Sequence, residues 1–183
     1  MATTSVTNTF LQRLIGAAAL DSAIYEEVEA DSGATGQALA VILLSSLAAG
    51  VGARGLGGAT LPNAAFFSVV ALMAWGAWAL LTLQIGSRVL PDSQTSVDMG
   101  ELLRTTGFAA TPGILRVFGI LPGVTIPVFV ITAVWMLATM VVAIRQALDY
   151  RSTGRAIAVC VIGWILAITF AAVMGLFWSP ALN

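Results

Sequence analysis

Four uninterrupted apolar runs dominate this sequence, and each is long enough to cross a lipid bilayer as a helix. About 20 apolar residues span the hydrocarbon core as an α-helix, and runs of this length exceed what strands need. Only 17 of the 183 residues are charged (8 basic and 9 acidic), whereas soluble domains carry roughly 25% charged residues. The sequence therefore predicts an all-α, polytopic membrane helical bundle. The runs cover residues 35–51, 64–85, 126–144 and 156–178.

A fifth segment, residues 102–121, is long enough to cross but contains arginine, proline and glycine. Arg104 and Arg116 lie near its two ends, where arginine side chains can reach an interface. Pro112 lacks a backbone donor and clashes with the preceding turn, so we expect a helix that breaks near residues 110–112 and then resumes.

The distribution of arginines discriminates between four and five crossings, because cytoplasmic loops carry an excess of Lys and Arg. The chain contains eight Arg and no Lys. With five crossings and a cytoplasmic N-terminus, six arginines are cytoplasmic and two are outside. Four crossings place four on each side, whichever way the N-terminus faces. We therefore predict five transmembrane helices, the third interrupted near Pro112, with the C-terminus outside.

Residues 1–34 are predicted to form a cytoplasmic or interfacial amphipathic segment, and residues 35–183 the transmembrane domain. The apolar residues of TFLQRLIGAAAL recur at helical spacing, so this stretch can lie on the membrane surface. Asp21 and Ser22 can cap a second short helix, SAIYEEVEA. Its acidic residues and one that follows are expected to form a solvated or partner-binding surface rather than a divalent-cation site. They are Glu26, Glu27, Glu29 and Asp31.

A second polar cluster lies between the last two apolar runs. Arg145 and Asp149 are four residues apart, so we expect them to share a helix face and to pair. Ser152 or Thr153 can cap the following helix, whose exposed amides and neighbouring arginines favour an anion. The cluster is a candidate lipid-headgroup, phosphate or partner site, and the alternative interpretation is a capped turn with positive anchors. The candidate residues are Arg145, Gln146, Asp149, Arg151, Ser152 and Arg155.

Several classes of function find no support in the sequence. There is no His, the commonest general base and metal ligand, and no intramembrane pair of carboxylates, so we expect no enzyme, no cofactor and no metal site. GVGARG at residues 50–55 matches G-x-G-x-x-G, but a membrane helix precedes it and no acid follows about 20 residues on, so we interpret it as a glycine-rich loop. A net charge of −1 offers no basic surface for nucleic acid.

Residues 107–112, Gly-Phe-Ala-Ala-Thr-Pro, resemble the Gly-Tyr-x-x-x-Pro motif of the Yip1 family, with Phe108 in place of Tyr. Two further stretches resemble bacterial members, YEEVEADSGATGQA at residues 25–38 and RQALDYRSTGRAIAV at residues 145–159. The resemblance implies five spans with a cytoplasmic N-terminus. The Asp-Leu-Tyr-Gly-Pro motif and the long N-terminal region of eukaryotic members, which act in vesicle trafficking and bind Rab GTPases, are absent. The motif residues are Gly107, Phe108 and Pro112.

Together, these features predict a non-enzymatic Yip1-like protein of the bacterial inner (cytoplasmic) membrane. It would bind partners or organise membrane through helix packing. Its expected partners are the lipid bilayer and other membrane protein subunits, or further copies of the chain. Two alternatives stay open. One is an accessory or scaffold subunit of a larger membrane complex, and the other is a small carrier whose broken third helix exposes backbone groups to a substrate.

Overall fold

The computed structural model describes residues 8–56, 60–89 and 98–178. This part of the chain contains helices and turns without any strand, as the sequence predicts, and it forms seven α-helices. They are α1 (Phe10–Ala18), α2 (Ser22–Ala30), α3 (Thr35–Ala53), α4 (Leu61–Gln84), α5 (Met99–Ala109), α6 (Thr125–Ala147) and α7 (Thr153–Trp178). A π-helical turn, Ile85–Val89, ends α4, and a 3-10 helix, Thr111–Ile120, follows α5. We call Thr111–Ile120 the 3-10 segment.

Three helices in the described residues are long and apolar enough to cross a membrane. They are α3 with its flanking turns (Ser32–Leu56), α4 (Leu61–Gln84) and α6 (Thr125–Ala147). The first part of α7, Thr153–Leu166, forms a shorter apolar stretch. The four apolar runs predicted from the sequence coincide with α3, α4, α6 and α7 to within a few residues at each end.

Small residues allow α3 to pack closely against α5 and the 3-10 segment. A Cβ added to Gly107 would lie 2.8 Å from the Cβ of Ala38. A Cβ added to Gly113 would lie 2.1 Å from the Oγ of Ser45. Both distances are shorter than real side chains allow, so these glycines are needed for the close approach of the two segments.

The same close packing continues to the C-terminal end of α3. A Cβ added to Gly52 would lie 1.9 Å from the carbonyl oxygen of Arg116, and one added to Gly119 would lie 3.2 Å from the carbonyl oxygen of Gly52. The contacts therefore advance in the same direction along both segments. From Ser45 to Gly52, seven residues of α3 rise about 10.5 Å. From Gly113 to Gly119, six residues of the 3-10 segment rise about 12 Å, so the two segments advance by similar distances between contacts.

The α-helical geometry of α5 ends at Ala109, three residues before Pro112. Residues 107–110 lie at this transition, and each of their four carbonyl oxygens accepts a hydrogen bond from within the chain. The donors are the amides of Ala110 and Gly113 and the hydroxyls of Thr111 and Thr139. The change of helix geometry therefore leaves none of these four carbonyls without a hydrogen-bond donor.

The two short N-terminal helices form a hairpin that packs against the rest of the bundle. Thr9 and Gln12 form a capping box at the start of α1, and Asp21 caps α2 as predicted by accepting a hydrogen bond from the Ala23 amide. The rings of Phe10 and Phe108 pack edge to face with centroids 6.3 Å apart. The hairpin is therefore fixed to α5.

Candidate functional site

A cleft of about 710 Å³ lies between α2 and the turn that joins α6 to α7. It brings together residues of both polar clusters predicted from the sequence. Glu26 comes from the acidic cluster, and Arg145, Gln146, Asp149 and Arg151 come from the second cluster. The other residues that line the cleft are Ser22, Val141, Val142, Tyr150 and Thr153. One residue of the first predicted cluster and four of the second thus line the same candidate site.

Two buried side chains, Leu148 and Tyr150, hold the α6–α7 turn in place. The Tyr150 hydroxyl donates a hydrogen bond of 2.9 Å to the carbonyl oxygen of Gly86, in the π-helical end of α4. A Cβ added to Gly86 would lie 2.4 Å from a methyl carbon of Leu148. With these two side chains directed inward, Arg145 and Asp149 remain exposed at the cleft.

The same turn corrects one prediction. Helix α6 ends at Ala147, and Asp149 adopts the left-handed conformation with φ of 50°. Arg145 and Asp149 therefore do not share a helix face, and the predicted i to i+4 pair is wrong. Helix α7 begins directly after Ser152, whose carbonyl oxygen accepts a 3.2 Å hydrogen bond from the Arg155 amide. Ser152 and Arg155 are exposed but do not line the cleft.

Arg104 fixes the α2 wall of the cleft. Its side chain is buried, and its Nε donates hydrogen bonds of 3.0 Å to the carbonyl oxygen of Val28 and 3.1 Å to that of Glu29. These carbonyls belong to the C-terminal end of α2, which carries partial negative charge and is stabilised by a cation. Arg104, which the sequence predicts to lie near an interface, thus caps the C-terminal end of α2.

Arg13 lies at the centre of an ion-pair network that joins α1, α2 and α3. Its side chain is 1% exposed, and Nη2 contacts Glu27 at 2.8 Å and Asp31 at 2.7 Å. Nη1 donates a 3.0 Å hydrogen bond to Gln37, and Asn8 also binds Glu27. Two of the four acids of the predicted acidic surface, Glu27 and Asp31, are thus partly exposed and also bind Arg13.

The Arg13 network changes the acidity of its carboxyl groups. The hydrogen bond from Arg13 lowers the pKa of Asp31. Burial acts to raise the pKa of Glu27, but the hydrogen bonds from Asn8 and Arg13 outweigh burial, so the pKa of Glu27 is lowered. Both carboxylates are therefore held in their charged form by the network.

Glu29 behaves in the opposite way. Burial raises the pKa of Glu29, and the negative charges of Glu101 and Asp149 raise it further, against a hydrogen bond with Gln146. Glu29 therefore lies within the electrostatic reach of the cleft although it does not line it. The negative charges of Glu29, Glu101 and Asp149 repel one another. A cationic group that binds on this side of the cleft would relieve that repulsion.

The cleft combines both signs of charge around an apolar floor. Glu26 and Asp149 supply carboxylates, Arg145 and Arg151 supply guanidinium groups, and Val141 and Val142 supply the apolar surface. Within the described ranges, no three His, Cys, Asp or Glu side chains are placed to hold a metal ion. Such a surface can bind a polar segment that carries charges of both signs.

The three motif residues contribute to the support of the site and do not line it. Gly107 allows α5 to contact α3, Phe108 is fully buried against Phe10, and Pro112 is buried within the 3-10 segment. Together they position α5, which carries Arg104 to the end of α2.

The described residues include three helices that are long and apolar enough to cross a bilayer, which is typical of an α-helical integral membrane protein. The chain belongs to the Yip1 family, because the family model described as Yip1 domain matches residues 21–174. This match confirms the resemblance first seen at residues 107–112. No curated protein and no solved structure matches the chain. The matched range begins at α2, and α1 is attached to it through the Arg13 network.

Proposed function

We propose that this Yip1-family protein spans the membrane five times and binds a segment of a partner protein in the cleft between α2 and the α6–α7 turn. The proposal rests on one observation. The same cleft is lined by charged residues of both signs, Glu26, Asp149, Arg145 and Arg151. Complementary charges at such a surface select a partner and fix its orientation. The preferred partner segment therefore carries both acidic and basic residues, with apolar side chains for the valine floor.

The length of α5 plus the 3-10 segment supports the third of the five crossings. Eleven α-helical and ten 3-10 residues rise together by about 36 Å, more than the roughly 30 Å of the hydrocarbon core. Close contacts to α3 at Gly107, Gly113 and Gly119 advance in the same direction as α3. A segment that accompanies a membrane-spanning helix along most of its length is expected to cross with it.

The arginine distribution supports a cytoplasmic N-terminus and an external C-terminus. Arg13 is buried in ion pairs, so we leave it out of the count of topogenic charges. Five arginines then remain on the cytoplasmic side and two, Arg54 and Arg116, on the outer side. The excess still favours five crossings. We infer that the protein lies in a bacterial cytoplasmic membrane, because residues 25–38 and 145–159 resemble bacterial members of the family.

A role without catalysis is part of the proposal. The chain contains no His, and the charged residues of the cleft include no nucleophile activated by a neighbouring base. Binding uses the same residues as they stand, through ion pairs and apolar contact.

Site-specific photo-crosslinking in intact cells tests the cleft. A benzophenone-bearing amino acid replaces Gln146, which is half-buried and lines the cleft, and a control replaces Ala30, which is exposed on α2 and does not line it. We expect a discrete adduct from position 146 that the control position does not give. Reversing both cleft arginines (Arg145→Glu with Arg151→Glu) is expected to abolish that adduct.

The outcome also separates a transient partner from a permanent one. An adduct at position 146 in stoichiometric yield, with the same protein co-purifying in mild detergent, identifies the chain as an accessory subunit. An adduct in small yield indicates transient binding. Equal labelling at positions 146 and 30, or an adduct that persists after both charge reversals, contradicts the proposed role of the cleft.

A further inference from the structure

A second cavity, of about 170 Å³, lies inside the helix bundle and is separate from the cleft. It is bounded by α4, α6, α7 and the 3-10 segment. Met136 and Met140 line it and lie 11 and 15 residues after the start of α6 at Thr125. The cavity therefore lies beside the middle and second half of α6, at least seven residues from either end of that helix.

Among the described residues that line this cavity, Arg116 of the 3-10 segment is the only charged one. Its Nε donates a 3.3 Å hydrogen bond to the Thr132 hydroxyl, and its guanidinium group lies 5.5 Å from the centroid of the Phe129 ring. Among the described residues, no carboxylate forms a salt bridge with it. The guanidinium group has five N–H donors, and the Thr132 hydroxyl accepts from one of them.

The direction of the Arg116 side chain differs from the sequence-based expectation. An arginine near the end of a crossing is expected to extend toward the interface, where water hydrates its charge. Arg116 instead shares a cavity with Trp78 and Trp164, which lie 17 residues after the start of α4 and 11 residues after the start of α7. An ionisable group directed into the bundle at this depth is costly unless a counter-charge meets it.

Two further donors without acceptors belong to the same cavity. The indole nitrogens of Trp75 and Trp78 are buried and have no hydrogen-bond partner among the described residues, and both side chains line the cavity. Trp78 is only 5% exposed. An indole N–H can only donate, and a buried donor without an acceptor is destabilising. The cavity is thus lined by a cation and by two indole side chains whose N–H groups lack an acceptor, and a negatively charged acceptor could pair with all three.

We propose that this cavity binds one anionic group, a carboxylate or a phosphate, carried by an acyl chain. The anion would pair with Arg116 and accept hydrogen bonds from the indoles, while Ala71, Ala74 and Leu137 contact the first methylene groups. These three side chains are only half-buried, so the cavity opens to the side of the bundle that faces lipid. The site does not depend on partner binding in the cleft, whereas its position within the bilayer rests on the proposed third crossing.

Tryptophan fluorescence of the full chain in neutral detergent, freed of native lipid, tests the proposal. The carboxylate probe is 9,10-dibromostearate, the phosphate probe is phosphatidylglycerol with dibrominated chains, and the neutral control is methyl 9,10-dibromostearate. Bromine quenches nearby indoles, and three tryptophans line the cavity. We expect saturable quenching by at least one anionic probe and none by the methyl ester. If only the stearate saturates, the ligand is a fatty acid. If only the phospholipid saturates, the ligand is a headgroup phosphate. If both saturate, the site recognises the negative charge that the two probes share.

Variants separate the cavity from general surface charge. Arg116→Gln is expected to weaken the affinity for the anionic probe roughly tenfold or more, because it removes a charge-assisted hydrogen bond. Arg54→Gln changes an exposed arginine at the end of α3 and is expected to stay within about twofold. Trp78→Phe keeps an aromatic ring and removes the N–H, and we expect it to weaken binding by roughly threefold or more.

Three results overturn the proposal. The first is saturable binding of the methyl ester with the affinity of the acid. The second is the absence of saturable quenching by both anionic probes. The third is an unchanged affinity for the anionic probe in both Trp78→Phe and Arg116→Gln. If Arg116→Gln does not fold, the result with Trp78→Phe decides.

Discussion

Arg13 and Arg116 are both enclosed by the helix bundle, but only Arg13 is neutralised. Arg13 contacts two carboxylates and the amide oxygen of Gln37, whereas Arg116 contacts one hydroxyl and the face of a phenyl ring. A desolvated charge is stable when paired and costly when it is not. Arg13 therefore serves the fold, while Arg116 keeps its capacity for an external anion. The role of a buried charged side chain is therefore inferred from the groups that it contacts and not from its burial alone.

The largest effect is expected from Arg13→Gln. The substitution leaves Glu27 and Asp31 without their cation and detaches α1 from α2 and α3. Because the buried Arg13 donates hydrogen bonds to two partly exposed carboxylates and to Gln37, we expect a loss of about 3 kcal/mol in the free energy of unfolding, measured by titration with SDS. Arg54→Gln, which changes an exposed arginine, should stay within about 0.5 kcal/mol. Similar losses in both variants would contradict a structural role for Arg13.

The second effect concerns the backbone that carries Arg116. A Cβ in Gly52→Ala would lie 1.9 Å from the Arg116 carbonyl oxygen, so the 3-10 segment must move, at a cost of about 2 kcal/mol. The matched control is Gly76→Ala, where nothing lies within 4 Å of the added Cβ. That variant should gain up to about 1 kcal/mol from helix propensity. Shifts of the same sign in the same SDS titration would refute the close contact between α3 and the 3-10 segment.

The stability of the protein should depend on pH through Glu27 and Asp31, the carboxylates that bind Arg13. The pKa values of Glu27 and Asp31 are lowered in the folded protein, so their contribution to stability is complete above their ordinary pKa values and is lost as the pH falls through the lowered ones. Glu29, with a raised pKa, acts in the opposite sense and loses its contribution as the pH rises. We expect acid destabilisation in the native chain, seen as a falling unfolding temperature, and a weaker acid dependence in Arg13→Gln. An identical acid dependence in both proteins argues against the network.

The smallest effect on stability is expected from Arg116→Gln. No carboxylate among the described residues depends on Arg116, and removing an unpaired charge from the bundle relieves a cost. In lipid-free detergent the free energy of unfolding should remain within about 0.5 kcal/mol of the native value or rise above it. A loss as large as that of Arg13→Gln would assign Arg116 a structural role and end the contrast.

The helices themselves were predictable from the sequence, because an apolar run of about 20 residues has few alternatives to a helix in a bilayer. The cap at Asp21 followed from a residue type that accepts hydrogen bonds from free amides. The change of helix geometry before Pro112 follows from the missing N–H of proline.

The side-chain partners were harder to predict, because they lie far apart in sequence. Arg13 binds groups 14 to 24 residues away, and Arg104 binds carbonyls 75 and 76 residues away. One signal was available for Arg13. With Phe10, Leu14 and Ala17 it occupies the i, i+3, i+4, i+7 positions of one helix face, and a charge on a face directed into the bundle needs partners.

The predicted pair of Arg145 and Asp149 failed for a local reason. It assumed that α6 continues through Asp149, but Leu148 and Tyr150 are both buried, and residues two apart cannot share one face of a helix. The chain meets this requirement by leaving helical geometry at Leu148 and placing Asp149 at positive φ.

The position of Arg116 within the membrane depends on the third crossing, and cysteine labelling tests that crossing most directly. Single cysteines at Ser93 and Val124, in a Cys160→Ser background, bracket α5 and the 3-10 segment. Intact cells are treated with a membrane-impermeant maleimide before and after permeabilisation. Five crossings predict that Val124→Cys reacts from outside and Ser93→Cys only after permeabilisation. Labelling of both positions from the same side would contradict the crossing and the account built on it.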